Sequence, residues 1–210
     1  MLHTETVRPS TLGLIREINS FPSLTGFSLV GGTSLSLRFG HRLSIDLDYF
    51  SPTDFNPDDL LSKIQGWDKV RFVSKNNIGL FVFINKIKVD FVKHPFPLLS
   101  PIETIDGVRM FSLEDIAPMK IAAITGRAEK KDFYDLYYLC HHFKPLEELI
   151  KLFLRKHKVT SLMHIFRSLQ YFTEAEESVA PNTLVKELRW PAIKTFFTKE
   201  VNALARSDRF

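Results

Sequence analysis

Apolar positions recur with a short period through much of the first half of the chain and with a longer one in the second. Leu12, Ile15 and Ile18, with Leu14 beside them, sit at helical spacing and predict a helix over 11–20. Phe27 to Val30 is a short apolar run ending in Gly31-Gly32, read as a strand and a tight turn. A short helix over 33–39 follows, with Thr33 or Ser34 available to cap its first N–H groups. Ser44 to Phe50 then alternates, with Ile45, Leu47 and Tyr49 on one side and Asp46, Asp48 and Phe50 on the other. That period of two predicts a half-buried strand. Pro57 to Gln65 reads as a helix with proline in its first turn. Strands are expected over 69–74, 78–84 and 86–92, joined by hairpins at Asn76-Asn77 and Asn85-Lys86.

Pro95, Pro97 and Pro101 interrupt regular structure, and beyond Ser112 the pattern turns helical. Ser112-x-x-Asp115 has the form of a helix start. Helices are expected near 118–125, 131–142, 146–156, 161–172, 183–188 and 192–204. Strands crowd one half and helices the other, which argues an α+β fold with a helical C-terminal part.

Composition narrows the class. The 210 residues are 44% hydrophobic and include 19 Phe, enough apolar surface to build cores. No stretch approaches the roughly 20 apolar residues needed to span a bilayer, and Met1–Ser10 lacks a hydrophobic signal core. A cytoplasmic protein with no membrane partner is the expectation. Cys140 stands alone, which excludes an internal disulfide and a cysteine-based zinc cluster. The net charge of +4 is carried wholly by residues 141–210, with 12 basic and 8 acidic side chains, while residues 1–140 balance at 16 of each. Such a basic third suits either a solvated helical surface or contact with a polyanion such as RNA, through Lys151, Arg155, Lys156, Lys158 and Arg167.

The chemistry concentrates around the acidic strand. On a strand, Asp46 and Asp48 would share a face about 7 Å apart. Carboxylates held side by side repel unless a cation or proton lies between them, and oxygen-only ligands of this kind suit Mg²⁺. Lys88-Val89-Asp90 repeats the spacing, so an adjacent pairing would bring Asp90 in as a third carboxylate. Three carboxylates could hold two Mg²⁺ ions. Gly31-Gly32 would let backbone approach phosphate closely beside a helix start. Each element also has an ordinary reading: a simple turn, a solvated strand face, and a surface ion pair between Lys88 and Asp90.

The run Gly-Gly-Thr-Ser-Leu-x-Leu-Arg-Phe-Gly-His-Arg-Leu-Ser-x-Asp-Leu-Asp-Tyr-Phe resembles the signature of the AbiEii/AbiGii-type nucleotidyltransferases, toxin components of bacterial abortive-infection and toxin–antitoxin systems related to MenT toxins. The resemblance continues at Lys88-Val89-Asp90-Phe91 and from Met119-Lys120 through Arg127 and Lys131-Asp132 to Asp135-Leu136, covering roughly residues 27–140. It implies a polymerase-beta-like nucleotidyltransferase domain with a mixed sheet, expected over residues 1–110, and the helical pattern beyond it gives a second domain over 111–210, expected to contribute Lys120 and Asp132 to the cleft. It implies transfer of a nucleotide from an NTP to an acceptor, often the 3′ end of tRNA, and a cognate antitoxin as a partner.

Carried over by residue, the resemblance gives Gly31, Gly32 and Thr33 or Ser34 to the triphosphate, with Ser44 and Lys88 as further nucleotide contacts. Asp46 and Asp48 would bind Mg²⁺, and Asp90 would stand as the third carboxylate. Lys120 would contact phosphates, and Asp132 would be the helical acid, a role for which Asp135 competes one turn on. Twelve residues separate Gly32-Thr33 from Asp46, a longer loop than the broader pattern has. Lys120, Arg127 and Lys131 are spaced to share one helical stripe, either a rail for triphosphate or RNA or an exposed basic edge paired with Glu129 and Asp132. Two alternatives differ in class: a non-catalytic nucleotide-binding or antitoxin-binding protein on the same scaffold, and transfer to a protein or small molecule.

Overall fold

The computed structural model describes residues 1–67, 69–158, 161–186 and 188–207. The chain divides into two compact units, Met1–Ser112 and Leu113–Phe210. The first contains α1 (Pro9–Ser20), β1 (Ser28–Val30), α2 (Gly31–Phe39), β2 (Leu47–Ser51), α3 (Pro57–Ile64), β3 (Val70–Asn76), β4 (Gly79–Ile84), β5 (Ile87–Lys93), β6 (Glu103–Ile105) and β7 (Val108–Met110). Its strands form one mixed sheet in the order β3-β4-β5-β2-β1-β7-β6. The β2–β5 and β1–β7 pairs are parallel and the others antiparallel.

Alternation sets the two faces of this sheet. Leu47 and Tyr49 on β2, Leu80, Val82 and Ile84 on β4, and Val89 and Phe91 on β5 are buried. They join one core with Leu14, Ile15 and Ile18 of α1 and Leu60 and Ile64 of α3. Asp48, Lys88 and Asp90 lie at the intervening positions, on the other face. Asn56 starts α3 by accepting from the Asp58 and Asp59 N–H groups. Asn85 and Lys86 both have positive φ, the backbone that a two-residue hairpin requires.

Several sequence expectations are corrected. The acidic strand begins at Leu47, not Ser44. The Ser44 N–H is given to the Thr6 carbonyl at 2.9 Å, and the Asp46 carbonyl accepts from the Thr33 hydroxyl, so this stretch makes loop contacts in place of a ladder. Ile45 is accordingly 63% exposed. Helix α2 starts at Gly31, two residues early, and neither Thr33 nor Ser34 caps it. The β6–β7 hairpin was not anticipated. Its turn is Asp106-Gly107, both at positive φ, and β7 pairs in parallel with β1.

The second unit is helical: α4 (Leu113–Gly126), α5 (Lys130–His142), α6 (Leu146–His157), α7 (Leu162–Gln170), α8 (Thr173–Glu177) and α9 (Trp190–Ala205). Helix α4 packs on α5, α6 and α7, while α9 packs on α5 and α7. Phe133 lies at its centre with ring contacts to Phe172, Trp190 and Phe197. Pro118, expected to open a helix or kink one, lies inside α4 and withholds one N–H from the ladder. The helix expected over 183–188 is absent at the described residues 183–186 and 188, and Glu187 lies outside them. Six residues are too few to sustain a helix without packing, and Leu184 is exposed. Lys156, counted among possible RNA contacts, is instead buried in an ion pair with Asp115 at 2.5 Å. Among the described residues no helix is long and apolar enough to cross a membrane.

Candidate active site

The acidic residues meet through strand register. Asp48 and Asp90 are paired positions on the parallel strands β2 and β5, and both point away from the core. Adjacent strands stand about 4.8 Å apart, so the two carboxylates are neighbours on one face. Asp46 precedes β2, and its carbonyl is held by Thr33, whose hydroxyl also lies 2.8 Å from Ser44 Oγ. Lys88, one alternation before Asp90, donates to Asp90 Oδ2 at 2.7 Å. Burial alone would lower the Lys88 pKa, yet it is raised, because the bond to Asp90 and the charges of Asp90, Asp46 and Asp48 together outweigh desolvation. All three carboxylates therefore act on one ammonium.

Helix α2 begins where β1 ends. Gly31 has φ +67°, and a Cβ there would stand 2.5 Å from Asp48 Oδ2. Glycine is required both by the backbone and by the carboxylate beside it. No side chain caps the start of α2, so its first N–H groups form the positive end of a helix dipole beside Asp48. Ser34 is fully buried, and its hydroxyl lacks a hydrogen-bond partner among the described residues. Thr33 faces Ser44 and Asp46.

The site suits Mg²⁺ by two observations besides its all-oxygen donor set. Asp90 Oδ1 is buried and has no hydrogen-bond partner among the described residues, and the missing Cβ of Gly31 keeps space against Asp48. Among the described residues no group of three or more His, Cys, Asp or Glu side chains could hold a metal ion between them, so the expected three-carboxylate centre for two ions is not assembled by the side chains alone. Mg²⁺ commonly uses one or two carboxylates and completes its shell with water and substrate phosphates.

The second unit gathers the other candidates. Lys120 Nζ lies 3.0 Å from Asp132 Oδ1 and 2.8 Å from Asp135 Oδ2, with all three side chains buried. Arg127 Nε stands 3.2 Å from Asp132 Oδ2. The expected single stripe of Lys120, Arg127 and Lys131 does not form. Helix α4 stops at Gly126, Ala128 takes positive φ, and Lys131 on α5 pairs with Glu129. Asp132 and Asp135 share the Lys120 ammonium. His141 bonds the Tyr137 carbonyl at 2.8 Å, a helix-end contact. Burial, helped by the charge of Glu200, pushes the Cys140 thiol up, so it is a poor nucleophile.

Three side chains beside the acidic pair carry no motif. Phe81 is the β4 partner of Asp90, Phe83 that of Lys88, and Arg71 on β3 is the partner of Phe83. Their signal lies in alternation, since phenylalanines stand at the β4 positions that the core does not take.

The mixed sheet with a helix start beside paired strand carboxylates is a nucleotidyltransferase architecture. A family model described as "Nucleotidyl transferase AbiEii toxin, Type IV TA system" matches residues 14–208, and the chain belongs to that family of nucleotidyl-transferring enzymes. "Uncharacterized protein aq_aa25" of Aquifex aeolicus is 33% identical over 192 residues, covering 89% of this chain and 92% of its own. The fold is shared with MenT4, a nucleotidyltransferase toxin of Mycobacterium tuberculosis, with TM-score 0.62, 15% identity and coverage of 94% and 83%. It is also shared with ANT(2″)-Ia, solved with adenylyl-2″-tobramycin, with TM-score 0.55, 18% identity and coverage of 70% and 96%.

Proposed function

We propose that this enzyme is a Mg²⁺-dependent toxin that moves a nucleotide from an NTP to an RNA acceptor, the 3′ end of tRNA in particular, under the control of an antitoxin. The observation that carries the site is the Asp48–Asp90 register beside the α2 start. Gly31 and Gly32 admit the triphosphate to the α2 N–H groups. Asp48 and Asp90, with Asp46, would hold Mg²⁺, which when bound neutralises phosphate charge and lowers the pKa of a coordinated hydroxyl.

The acceptor hydroxyl oxygen forms a bond to the α-phosphorus. The bond from that phosphorus to its bridging oxygen breaks, and pyrophosphate leaves with the electron pair. The hydroxyl proton would pass to the Asp90 carboxylate. Lys88 is a further cation for the nucleotide.

Incubation with each radiolabelled NTP, Mg²⁺ and total RNA tests the reading. A labelled band of tRNA size that disappears in the Asp46→Ala/Asp48→Ala double variant is expected. Label confined to protein or to a small molecule would reassign the acceptor, and undiminished transfer by the double variant would remove the site.

A further inference from the structure

The face that carries Asp48 and Asp90 continues across β5, β4 and β3. Phe81 and Phe83 are half-buried there, opposite Asp90 and Lys88. The Arg71 guanidinium carbon stands 4.4 Å from the Phe83 ring centroid. Val70 pairs with Ile84 and Ile84 with Ile87, so Lys69 and Lys86 reach the same end of the sheet. Lys69, Arg71, Lys86 and Lys88 are exposed. Of the basic side chains in residues 69–93, Lys75 pairs with Asp58, Lys93 with Asp54 and Lys88 with Asp90, and Lys69, Arg71 and Lys86 mark this corner.

Strand order gives this corner its place in the reaction. The α2 start follows β1, on one side of β2, whereas β5, β4 and β3 lie on the other. A nucleotide with its phosphates at α2 and its α-phosphorus at Asp48 and Asp90 leaves the β5–β3 side to the attacking group. We infer that this corner seats the acceptor as a single strand, an unpaired base stacking on the Arg71 guanidinium that lies over the Phe83 ring while Lys69 and Lys86 meet backbone phosphates. Aromatic faces bind unstacked bases, and arginine adds cation–π attraction. Paired bases in an A-form helix offer no such face. The inference rests on the nucleotidyl-transfer reading and adds what the acceptor must present.

The test is fluorescence anisotropy of the full chain with a labelled single-stranded RNA and with a duplex of the same sequence, without NTP. The single strand is expected to bind more tightly. Phe83→Leu, which keeps most of the packed volume, and Arg71→Ala, at an exposed position, should each weaken it roughly tenfold, as for one stacked base. Lys86→Ala should reduce the slope of log affinity against log salt by about 0.7, as for one phosphate contact on a single strand. In transfer assays both Phe83→Leu and Arg71→Ala should raise KM for RNA and leave KM for NTP unchanged. Equal binding of duplex and single strand, or wild-type RNA affinity in both variants, overturns the inference. If the wild type labels no RNA while binding remains dependent on Phe83 and Arg71, transfer to RNA is refuted and the binding corner stands.

Discussion

Asp48 and Asp90 face each other as register partners on neighbouring parallel strands, with Gly31 closing one flank and Lys88 bonded to the far carboxylate. Carboxylates this close repel, and Lys88 is the cation that stands against them in the metal-free protein. Asp48→Ala and Asp90→Ala should each reduce nucleotidyl transfer by about 10²–10³ or more, the scale of losing an electrostatic contact made in the transition state. Asp48→Ala should leave the thermal midpoint unchanged or slightly raised in EDTA, and calorimetry with and without Mg²⁺ would reveal a lowered one.

Gly31→Ala tests the cradle separately. The added methyl meets Asp48 Oδ2 at 2.5 Å in a backbone with φ +67°, so backbone strain of about 1–2 kcal/mol is expected. The Asp48 carboxylate must also move. Isothermal titration should show weakened NTP and Mg²⁺ binding, with circular dichroism unchanged.

Lys120 is shared by two buried carboxylates. Lys120→Met removes that cation and should destabilise by about 3–5 kcal/mol in urea unfolding. Adding Asp135→Asn should restore part of the loss, because one buried charge leaves with its partner. A double-mutant cycle measures the coupling.

Lys156 and Asp115 form a second buried ion pair in the helical unit. Lys156→Met alone should cost about 3–5 kcal/mol, whereas Lys156→Met with Asp115→Leu should approach wild-type stability. A double variant as unstable as the single one would mean that packing, and not charge, governs the position.

His157 titrates below its ordinary value of 6.5, first because burial penalises the imidazolium and then because Lys156 repels it. Between the lowered value and 6.5 the unfolded chain binds a proton that the folded chain does not. This residue's contribution is therefore full above 6.5 and is lost as the pH falls through that window. The urea midpoint should drop less between pH 7.5 and 5 in His157→Gln than in the wild type.

The order of motifs was legible because it follows from local patterning. Alternation at Leu47–Phe50 and at Ile87–Val92 marks two strands with one face each, and carboxylates at equivalent steps of both imply a shared side. What patterning cannot see is which loop groups take the backbone hydrogen bonds. Asp46 continues the alternation of β2 yet lies outside the strand, because Thr33, thirteen residues earlier, holds its carbonyl.

The same blindness explains the broken stripe. Lys120, Arg127 and Lys131 keep helical spacing through a reversal at Ala128, since the periodicity of charges is indifferent to a turn that ordinary residues make. Convergence on Asp132 replaces alignment for Lys120 and Arg127. The β6–β7 hairpin was missed for another reason. Its strands have three residues each, too few to show alternation, although Asp106-Gly107 is a strong turn signal.

That short hairpin also bears on synthesis. β1, from which the glycine turn emerges, has three residues, and one of its two neighbours, β7, is made some eighty positions later. A nascent chain still lacking Val108–Met110 leaves β1 on an open sheet edge, so a ribosome-bound fragment that already contains every acidic residue of the strands has yet to brace them.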